Sequence, residues 1–269
     1  MATLFICIHD SFALEPISWS ETKKSAEQEL LNKNRAQAIK IIQDYIASTS
    51  TKAHVVEAEE FLSYISQLFL TEEAHKNYYL SRSLLVTDPE RAKEKLLFTL
   101  GLEPYNERVA VELSRLYLQQ EDCKSANELS QKFYTQNPKG KDVSIILLQS
   151  LYCLKDWNNF NKIYANMLKL STLDKLSKIV IEILNLKQNP QEPNLEAKLT
   201  QLQALDANFP LTYYWQTKHL LKVAKDPKQT AQRYLSVCQN LKATVVKRYE
   251  NYPTICSFTA EISALSKQD

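Results

Sequence analysis

The sequence predicts an all-α fold, a right-handed α–α superhelix of stacked helix pairs, on three observations. The chain of 269 residues contains only 2 glycines, too few for the tight turns of an all-β fold or for the phosphate-binding loops of nucleotide-binding α/β folds. Apolar residues recur three and four residues apart, as on one face of a helix, in segments such as 109–117 and 145–152. Residue types also recur every 34 residues, an interval that fits one helix–turn–helix unit.

Composition and charge narrow the range of partners. With 44% hydrophobic and 24% charged residues, the chain has the composition of a globular protein. Its 33 basic and 31 acidic residues leave a net charge of +2, without the basic surface that nucleic-acid binding requires. The longest apolar run, residues 2–8, is much shorter than the ~20 residues of a membrane-spanning helix. We therefore expect no nucleic-acid partner and no transmembrane segment.

Residues 1–19 form either an N-terminal arm or the remnant of a secretory signal. The apolar run is followed by two polar residues and then by Ser11 and Ala13, a small-x-small pattern like that of a signal cleavage site. A positively charged start is missing, and Ile6 stands where a lipoprotein signal needs a small residue before Cys7. The interpretations imply different compartments: a signal implies export, for example to the periplasm, and an arm that docks on the first helix implies the cytoplasm.

From residue 20 onward the pattern predicts a single solenoid domain, 20–269. A helix pair over 20–52 forms a degenerate first repeat. The helical stretch 51–70 fits no 34-residue slot and is interpreted as an added helix or a degenerate half-repeat. The three best-defined repeats cover 73–106, 107–140 and 141–174.

Capping residues and prolines mark the helix boundaries within these repeats. Asp88 before Pro89 is typical of a helix start, because the carboxylate accepts hydrogen bonds from free N–H groups and proline fits the first helical position. Pro104 and Pro138 should end the second helix of their pairs, because the residue before a proline disfavours the α conformation. Asp122 and Asp156 follow Asp88 at 34-residue intervals. Further helix starts are predicted at Asn106, Ser171 and Asp226.

Four residues of the repeat 107–140 carry a family resemblance. Leu113, Tyr117, Ala126 and Pro138 stand at the large apolar, tyrosine, alanine and proline positions of a known 34-residue motif. In this respect the chain resembles the tetratricopeptide repeat (TPR) family. The resemblance implies stacked helix–turn–helix units with a concave groove, lined mainly by the first helix of each pair.

Beyond the third repeat the 34-residue register shifts. Ala197 comes 37 residues after the corresponding Phe160, so we expect three extra residues in the turn 189–193. Degenerate repeats are predicted over 175–250. A capping helix that closes the stack is predicted over 254–266.

The resemblance places a partner-binding groove on the first helices. Arg108 and Arg115 lie seven residues apart on one helical face, where they could hold a carboxylate or an acidic segment of a partner. Two solvated surface arginines are an equally good interpretation. The predicted groove residues are Asn77, Ser81, Leu84, Arg108, Val111, Arg115, Gln119, Asp142, Ile145, Gln149 and Tyr152.

Within this groove, Val111, Ile145 and Tyr152 are predicted to supply apolar contacts. Some members of the family bind a C-terminal carboxylate with lysine and asparagine at fixed groove positions. The corresponding positions here hold Asn77, Ser81, Val111 and Arg115. That carboxylate clamp is therefore not present.

Residues with catalytic or metal-binding chemistry form no recognisable motif. The five cysteines have no zinc spacing and are expected to be buried as small apolar residues, although an exported protein could pair some of them. Glu72 and His75 have the spacing of a di-iron helix, but the chain has no second such pair. The four histidines fit no triad, and the aromatic residues near Trp157 and Trp215 are interpreted as core packing. We expect no metal, no cofactor and no enzymatic activity.

The sequence therefore predicts a non-catalytic scaffold or adaptor that binds a partner protein or peptide in the groove. If the first residues are a signal, the scaffold belongs to a bacterial envelope complex. The alternative is a helical-repeat chaperone or peptide-sensing regulator that uses the same groove. A solenoid enzyme acting on glycans is less favoured; it would need a carboxylic acid with a shifted pKa, and the clustered carboxylates are Glu59, Glu60 and Glu72.

Overall fold

The structure, a computed structural model, describes residues 18–85, 87–170, 173–188, 194–241, 255–256 and 258–266. Within these ranges every regular element is an α-helix, fourteen in all, and most helices adjacent in sequence lie against one another, as in a helical-repeat superhelix. The predicted all-α fold is confirmed. No described helix is long and apolar enough to cross a membrane.

From α1 to α9 the helices follow one another with short connections. Three predictions concern segments outside the described residues: the signal or arm at 1–17, the insertion at 189–193, and the helix start at Ser171. The helices are α1 (Trp19–Leu31), α2 (Arg35–Ser48), α3 (Lys52–Gln67), α4 (Glu72–Leu84), α5 (Pro89–Leu102), α6 (Glu107–Gln119), α7 (Cys123–Gln136), α8 (Lys141–Leu154), α9 (Trp157–Met167), α10 (Lys175–Leu186), α11 (Asn194–Leu205), α12 (Pro210–Lys222), α13 (Lys228–Asn240) and α14 (Thr259–Ser266).

The chain divides into two compact units, residues 1–72 and residues 73–269. In the first unit, α2 packs against both α1 and α3. Alanines at the helix contacts let the backbones approach closely, and the buried Arg35 of α2 donates hydrogen bonds to the carbonyl oxygens of Ile65, at 3.1 Å, and Leu68. These bonds attach α2 to the C-terminal end of α3. The core residues include Ala26, Ala38, Ile42, Ala58 and Ile65, all fully buried.

In the second unit the 34-residue interval corresponds to a row of helix starts. The first helices α6, α8 and α10 begin at Glu107, Lys141 and Lys175, and each start lies 34 residues after the last. Three second helices are capped by an aspartate at the same interval, because the side chains of Asp88, Asp122 and Asp156 accept hydrogen bonds from backbone N–H groups at 3.1, 3.1 and 3.2 Å. The repeating acids are therefore N-caps that fix where each second helix begins.

The helix ends predicted at Pro104 and Pro138 hold, whereas the starts of α10, α13 and α14 differ from the prediction. α5 ends two residues before Pro104, and α7 ends two residues before Pro138. The N-cap of α10 is Asp174, which accepts from the backbone N–H of Ser177 at 2.8 Å. α13 begins after Pro227, and Asp226 accepts from the N–H of Lys228 at 2.9 Å without serving as the N-cap. α14 covers only the second part of the predicted capping helix.

The signature alanine position behaves as expected in three second helices and differently in one. Ala92, Ala126 and Ala231 are fully buried, so a small side chain lets a neighbouring helix approach closely. Ala197, predicted to be equivalent, is exposed on α11. α11 buries Leu199 and its neighbours in the core, so its buried face does not follow the interval count.

Helix contacts in the second unit follow an alternating pattern. α7 packs between α6 and α8, and α6 also packs directly against α8. In the same way α10 contacts both α8 and α9. Contacts between helices two apart in the chain mean that successive first helices are neighbours. The first helices α6, α8 and α10 therefore form one continuous layer.

Four of the five cysteines form disulfides, which corrects the prediction that each is simply a buried apolar residue. Cys123, at the start of α7, pairs with Cys153 near the end of α8, with Cα atoms 5.9 Å apart. Cys238 on α13 pairs with Cys256 ahead of α14, with Cα atoms 5.6 Å apart. Cys153 is exposed, so packing does not account for it. Cys7 lies outside the described residues.

Candidate functional site

The predicted groove residues lie on the first helices α4, α6 and α8, on a surface that we call the first-helix face. The structure divides them by exposure. Ser81, Val111 and Ile145 are buried, with 0%, 5% and 4% of their surface exposed. Arg108 and Gln119 are exposed, and the other six are half-buried: Asn77, Leu84, Arg115, Asp142, Gln149 and Tyr152.

Burial changes the role of the predicted apolar contacts. Val111 packs with Phe133 and Ile146 in a cluster between α6, α7 and α8. Ile145 belongs to a larger cluster that extends from α8 to α12. These side chains hold the helices together and offer little surface to a partner. Only Tyr152 of the predicted apolar set remains accessible.

The two predicted arginines also differ. Arg115 forms an ion pair with Glu112, Nη1 to Oε2 at 3.2 Å, and the two side chains are 11% and 3% exposed. Arg108 is exposed. Glu112 is absent from the predicted set, although its spacing of three residues from Arg115 places both side chains on one side of the helix and could have indicated the pair. One of the two arginines is thus already neutralised within α6.

Tyr78 on α4 shows that the charged residues of α6 face the preceding first helix. Burial raises the pKa of Tyr78, and the negative charge of Glu112 raises it further. Arg82, Arg108 and Arg115 lower the pKa of Tyr78 by smaller amounts. A neutral phenol therefore packs beside the ion pair of α6.

A second cluster lies where α8, α10 and α12 approach one another. The ammonium Nζ of Lys187, the residue that ends α10, lies 5.2 Å from the ring centroid of Tyr152 on α8 and 5.5 Å from that of Trp215 on α12. Both distances are within cation–π range. Tyr152 also contacts Trp157, with ring centroids 5.7 Å apart. We call Tyr152, Lys187 and Trp215 the Lys187 site.

The electrostatics of the Lys187 site are unfavourable for the charged amine. Burial lowers the pKa of Lys187, and with the smaller effects of the positive charges of Lys222 and Lys218 the pKa is about 8. Cation–π contacts contribute about 0.5–2 kcal/mol each. The lowered pKa means that the two rings do not fully replace the lost hydration of the ammonium group.

Lys187 and Trp215 are absent from the predicted groove set. The 34-residue interval could have indicated Lys187, because it occupies the repeat position that the predicted groove residue Gln119 and then Cys153 occupy in the two preceding repeats. The register shift appears only in the turn after α10, so α10 is still in phase with α8. Trp215 is 8% exposed and Phe160 is fully buried, which agrees with their interpretation as core residues. Trp215 nevertheless presents its ring to Lys187.

A separate cavity of about 760 Å³ lies between α11, α12 and α13. Its walls combine polar and apolar surface, and Gln216 donates to the side chain of Gln203 at 3.1 Å. Arg233 lies over the ring of Tyr213, 5.7 Å from its centroid. None of the predicted groove residues lines this cavity, and neither do the three candidate acids Glu59, Glu60 and Glu72.

The histidines considered for metal binding have aromatic neighbours. His75 contacts Tyr79 edge to face, with ring centroids 4.8 Å apart. His54 shares a hydrogen bond of 3.1 Å with the hydroxyl of Tyr45. In the part of the chain that the structure describes, no three residues among His, Cys, Asp and Glu lie close enough together to hold a metal ion.

No known protein family matches the chain, and no curated protein is significantly similar to it. The helical-repeat fold therefore rests on the helices and their contacts.

Proposed function

We propose that this protein is a TPR-like, non-catalytic scaffold or adaptor that binds a partner protein or peptide on the first-helix face. The observation that carries the proposal is the layer of first helices, in which α6 packs on α8 and α8 on α10. Equivalent residues of successive repeats then stand side by side at fixed spacing. A rigid surface of this kind loses little entropy when a partner binds.

The accessible residues of this face define the expected contacts. Arg108 and Gln149 offer hydrogen-bond donors, and Tyr152 offers a ring with a polar tip, the kind of residue that is enriched in interfaces. Asn77 and Asp142 lie beside them, half-buried. The buried Val111 and Ile145 support these residues from behind.

The two disulfides support an oxidising compartment. Disulfides persist in secreted and periplasmic proteins and are rare in the cytosol. Together with the signal-like residues 2–13, they support a place in the bacterial envelope. N-terminal sequencing of the native protein tests this: a start at Leu14 supports export, and an intact Met1 or Ala2 contradicts a cleaved signal.

The binding proposal is tested by a pull-down from native extract. The variant Arg108→Glu/Gln149→Ala changes two accessible residues of the first-helix face and leaves the buried ion pair of α6 intact. Lys124→Glu/Gln131→Ala, on the exposed side of α7, is the matched control. We expect at least tenfold lower recovery of a folded partner with the first variant and unchanged recovery with the control.

Equal recovery with both variants would move the binding site away from the first-helix face. Recovery of an unfolded client or a short peptide, instead of a folded protein, would favour the chaperone or peptide-sensing alternative. Circular dichroism establishes that each variant keeps its helices.

A further inference from the structure

The Lys187 site contains a cation without a counter-charge. Among the described residues, the ammonium group of Lys187 has no hydrogen bond or ion pair to a carboxylate, and its contacts are the rings of Tyr152 and Trp215. Lys187 is half-buried, so water covers its side chain incompletely. An ammonium group has three donors, and aromatic rings accept none of them as strongly as an oxygen does.

The surroundings add positive charge. Lys218 and Lys222, both on α12, act on Lys187 as like charges. Lys218 is paired with Glu261 of α14 at 2.7 Å, whereas Lys222 is exposed and forms no ion pair within the described ranges. Among the described residues, neither Lys187 nor the neighbouring charge of Lys222 has a carboxylate partner. An incoming anion would reduce their mutual repulsion.

We propose that the Lys187 site binds a glutamate or aspartate side chain of an acidic segment in the partner protein. This inference rests on the proposed function and names the chemistry of the partner. A carboxylate on an aliphatic stem fits the site, because its methylene groups can lie on the half-buried ring of Tyr152 while the oxygens accept from Lys187. The charge-assisted hydrogen bond forms where water is already partly excluded, which strengthens it.

A folded-protein or peptide partner is favoured over a polyanion for two reasons. Single lysines bind as point charges, and the described site has no arginine to provide the planar, bidentate contacts that phosphate recognition uses. The net charge of the chain is only +2, which gives little long-range attraction for a nucleic acid. The positive charge is local and matches a short acidic segment.

The test uses the full chain and two synthetic peptides. The probe is acetyl-Glu-Glu-Leu-Glu-Glu-Leu-amide, and its uncharged counterpart has glutamine in place of every glutamate. Binding is measured by titration calorimetry and by tryptophan fluorescence, since Trp215 is part of the site. Lys187→Met keeps the length and apolar stem of the side chain and removes the charge. Lys169→Met, on an exposed lysine after α9, is the matched control.

We expect the acidic peptide to bind the wild type at least tenfold more tightly than the glutamine peptide. Lys187→Met should abolish this preference, and Lys169→Met should keep it. The proposal is overturned if the acidic peptide does not bind the wild type, or if it binds the wild type and Lys187→Met equally well.

Carbodiimide coupling locates the contact without a variant. The reagent joins an amine to a carboxylate that touches it, so the Lys218–Glu261 pair, at 2.7 Å, is an internal positive control. We expect the peptide to be coupled to Lys187 in wild-type protein. Coupling elsewhere, with the internal link formed, would overturn the proposal. The pull-down with the Arg108 variant tests the scaffold function separately. The results of the two experiments therefore distinguish failure of the scaffold proposal from failure of the Lys187 proposal.

Discussion

Charged residues are arranged differently on two of the first helices, α6 and α10. On α6, the buried Glu112 pairs with Arg115 at 3.2 Å, and the buried Glu107 accepts from the side chain of Asn137 at 2.8 Å. At the end of α10, Lys187 contacts aromatic rings and like charges. The first arrangement satisfies each charge within the protein, whereas the second leaves charge available for another molecule. Position on the repeat alone does not distinguish them; the pairing of each charge does.

The largest expected effect comes from breaking the ion pair of α6. Glu112→Leu removes the carboxylate and leaves Arg115 charged and nearly buried, so we expect the free energy of unfolding to fall by about 3 kcal/mol. Glu112→Leu/Arg115→Met removes both charges and should recover most of that loss, to within about 1 kcal/mol of the wild type. Urea unfolding followed by circular dichroism measures both.

An exposed ion pair provides the control for this prediction. Lys124 and Glu128 on α7 are separated by 3.9 Å and are 83% and 68% exposed. Glu128→Leu should change the free energy of unfolding by less than about 0.5 kcal/mol. If Glu112→Leu costs no more than Glu128→Leu, the charges of α6 are not a structural network.

The next effect concerns Gly140, which adjoins the other polar contact of α6. A Cβ atom at Gly140 would come within 2.8 Å of the Asn137 amide nitrogen and 2.9 Å of a Glu107 carboxylate oxygen. Both groups are buried and bonded to each other, so they cannot move freely. We expect Gly140→Ala to lower the free energy of unfolding by about 2 kcal/mol, the usual cost of overpacking.

The second glycine offers the opposite case. Gly101 lies inside α5, and an added Cβ would have no neighbour within 4 Å. Gly101→Ala should therefore stabilise the protein by about 0.5–1 kcal/mol, because alanine has the higher helix propensity. Thermal or urea unfolding of the two alanine variants gives the comparison directly, and equal stabilities would argue against a tight polar contact at Gly140.

The helix framework is predictable from the sequence because its signals are local. Asp88, Asp122 and Asp156 cap helices by bonding an N–H group three residues away, so the interval between them fixes the repeat without knowledge of the fold. Ala197 shows where this reasoning ends. Interval counting assumes that equivalent residues keep the same face inward, and that holds only where the preceding turn has the same length and geometry.

The site is less predictable because its chemistry depends on contacts between helices. The ring of Trp215 and the amine of Lys187 meet only because α10 and α12 are neighbours in space. The disulfide between Cys123 and Cys153 likewise requires that the start of α7 lies beside the end of α8. Tyr152 is half-buried and stays a predicted contact residue, whereas the roles of Val111 and Ile145 could be assigned only once their burial was known.

Removing the charge of Lys187 should stabilise the protein, whereas removing the charge of Glu112 on α6 should destabilise it. Lys187→Met relieves the repulsion from Lys218 and Lys222 and the incomplete hydration of the amine, so we expect the free energy of unfolding at pH 7 to rise by about 1 kcal/mol. Urea unfolding at pH 7 measures it. A variant that is destabilised as strongly as Glu112→Leu would show that Lys187 is a structural residue.

The smallest expected effect is the pH dependence of the stability that Lys187→Met gains over the wild type. The pKa of Lys187 is lowered to about 8 in the folded protein from 10.5. Below pH 8 the amine is charged in both the folded and unfolded states, so the penalty is complete. Between pH 8 and pH 10.5 the unfolded state binds more protons than the folded state, and the stability of the wild type rises with pH.

The difference between the wild type and Lys187→Met should therefore be largest near pH 7 and decline as the pH passes 8. Tyr152, the titratable group that α8 places against the amine, stays neutral in this window because burial raises its pKa. Lys218 and Lys222 are present in both proteins, so their own contributions to stability largely cancel in the difference. Urea unfolding at pH 7, 8 and 9 measures the trend. A constant difference over this range would mean that the amine is not held at an unfavourable site, and its charge would then be as well satisfied as that of Arg115.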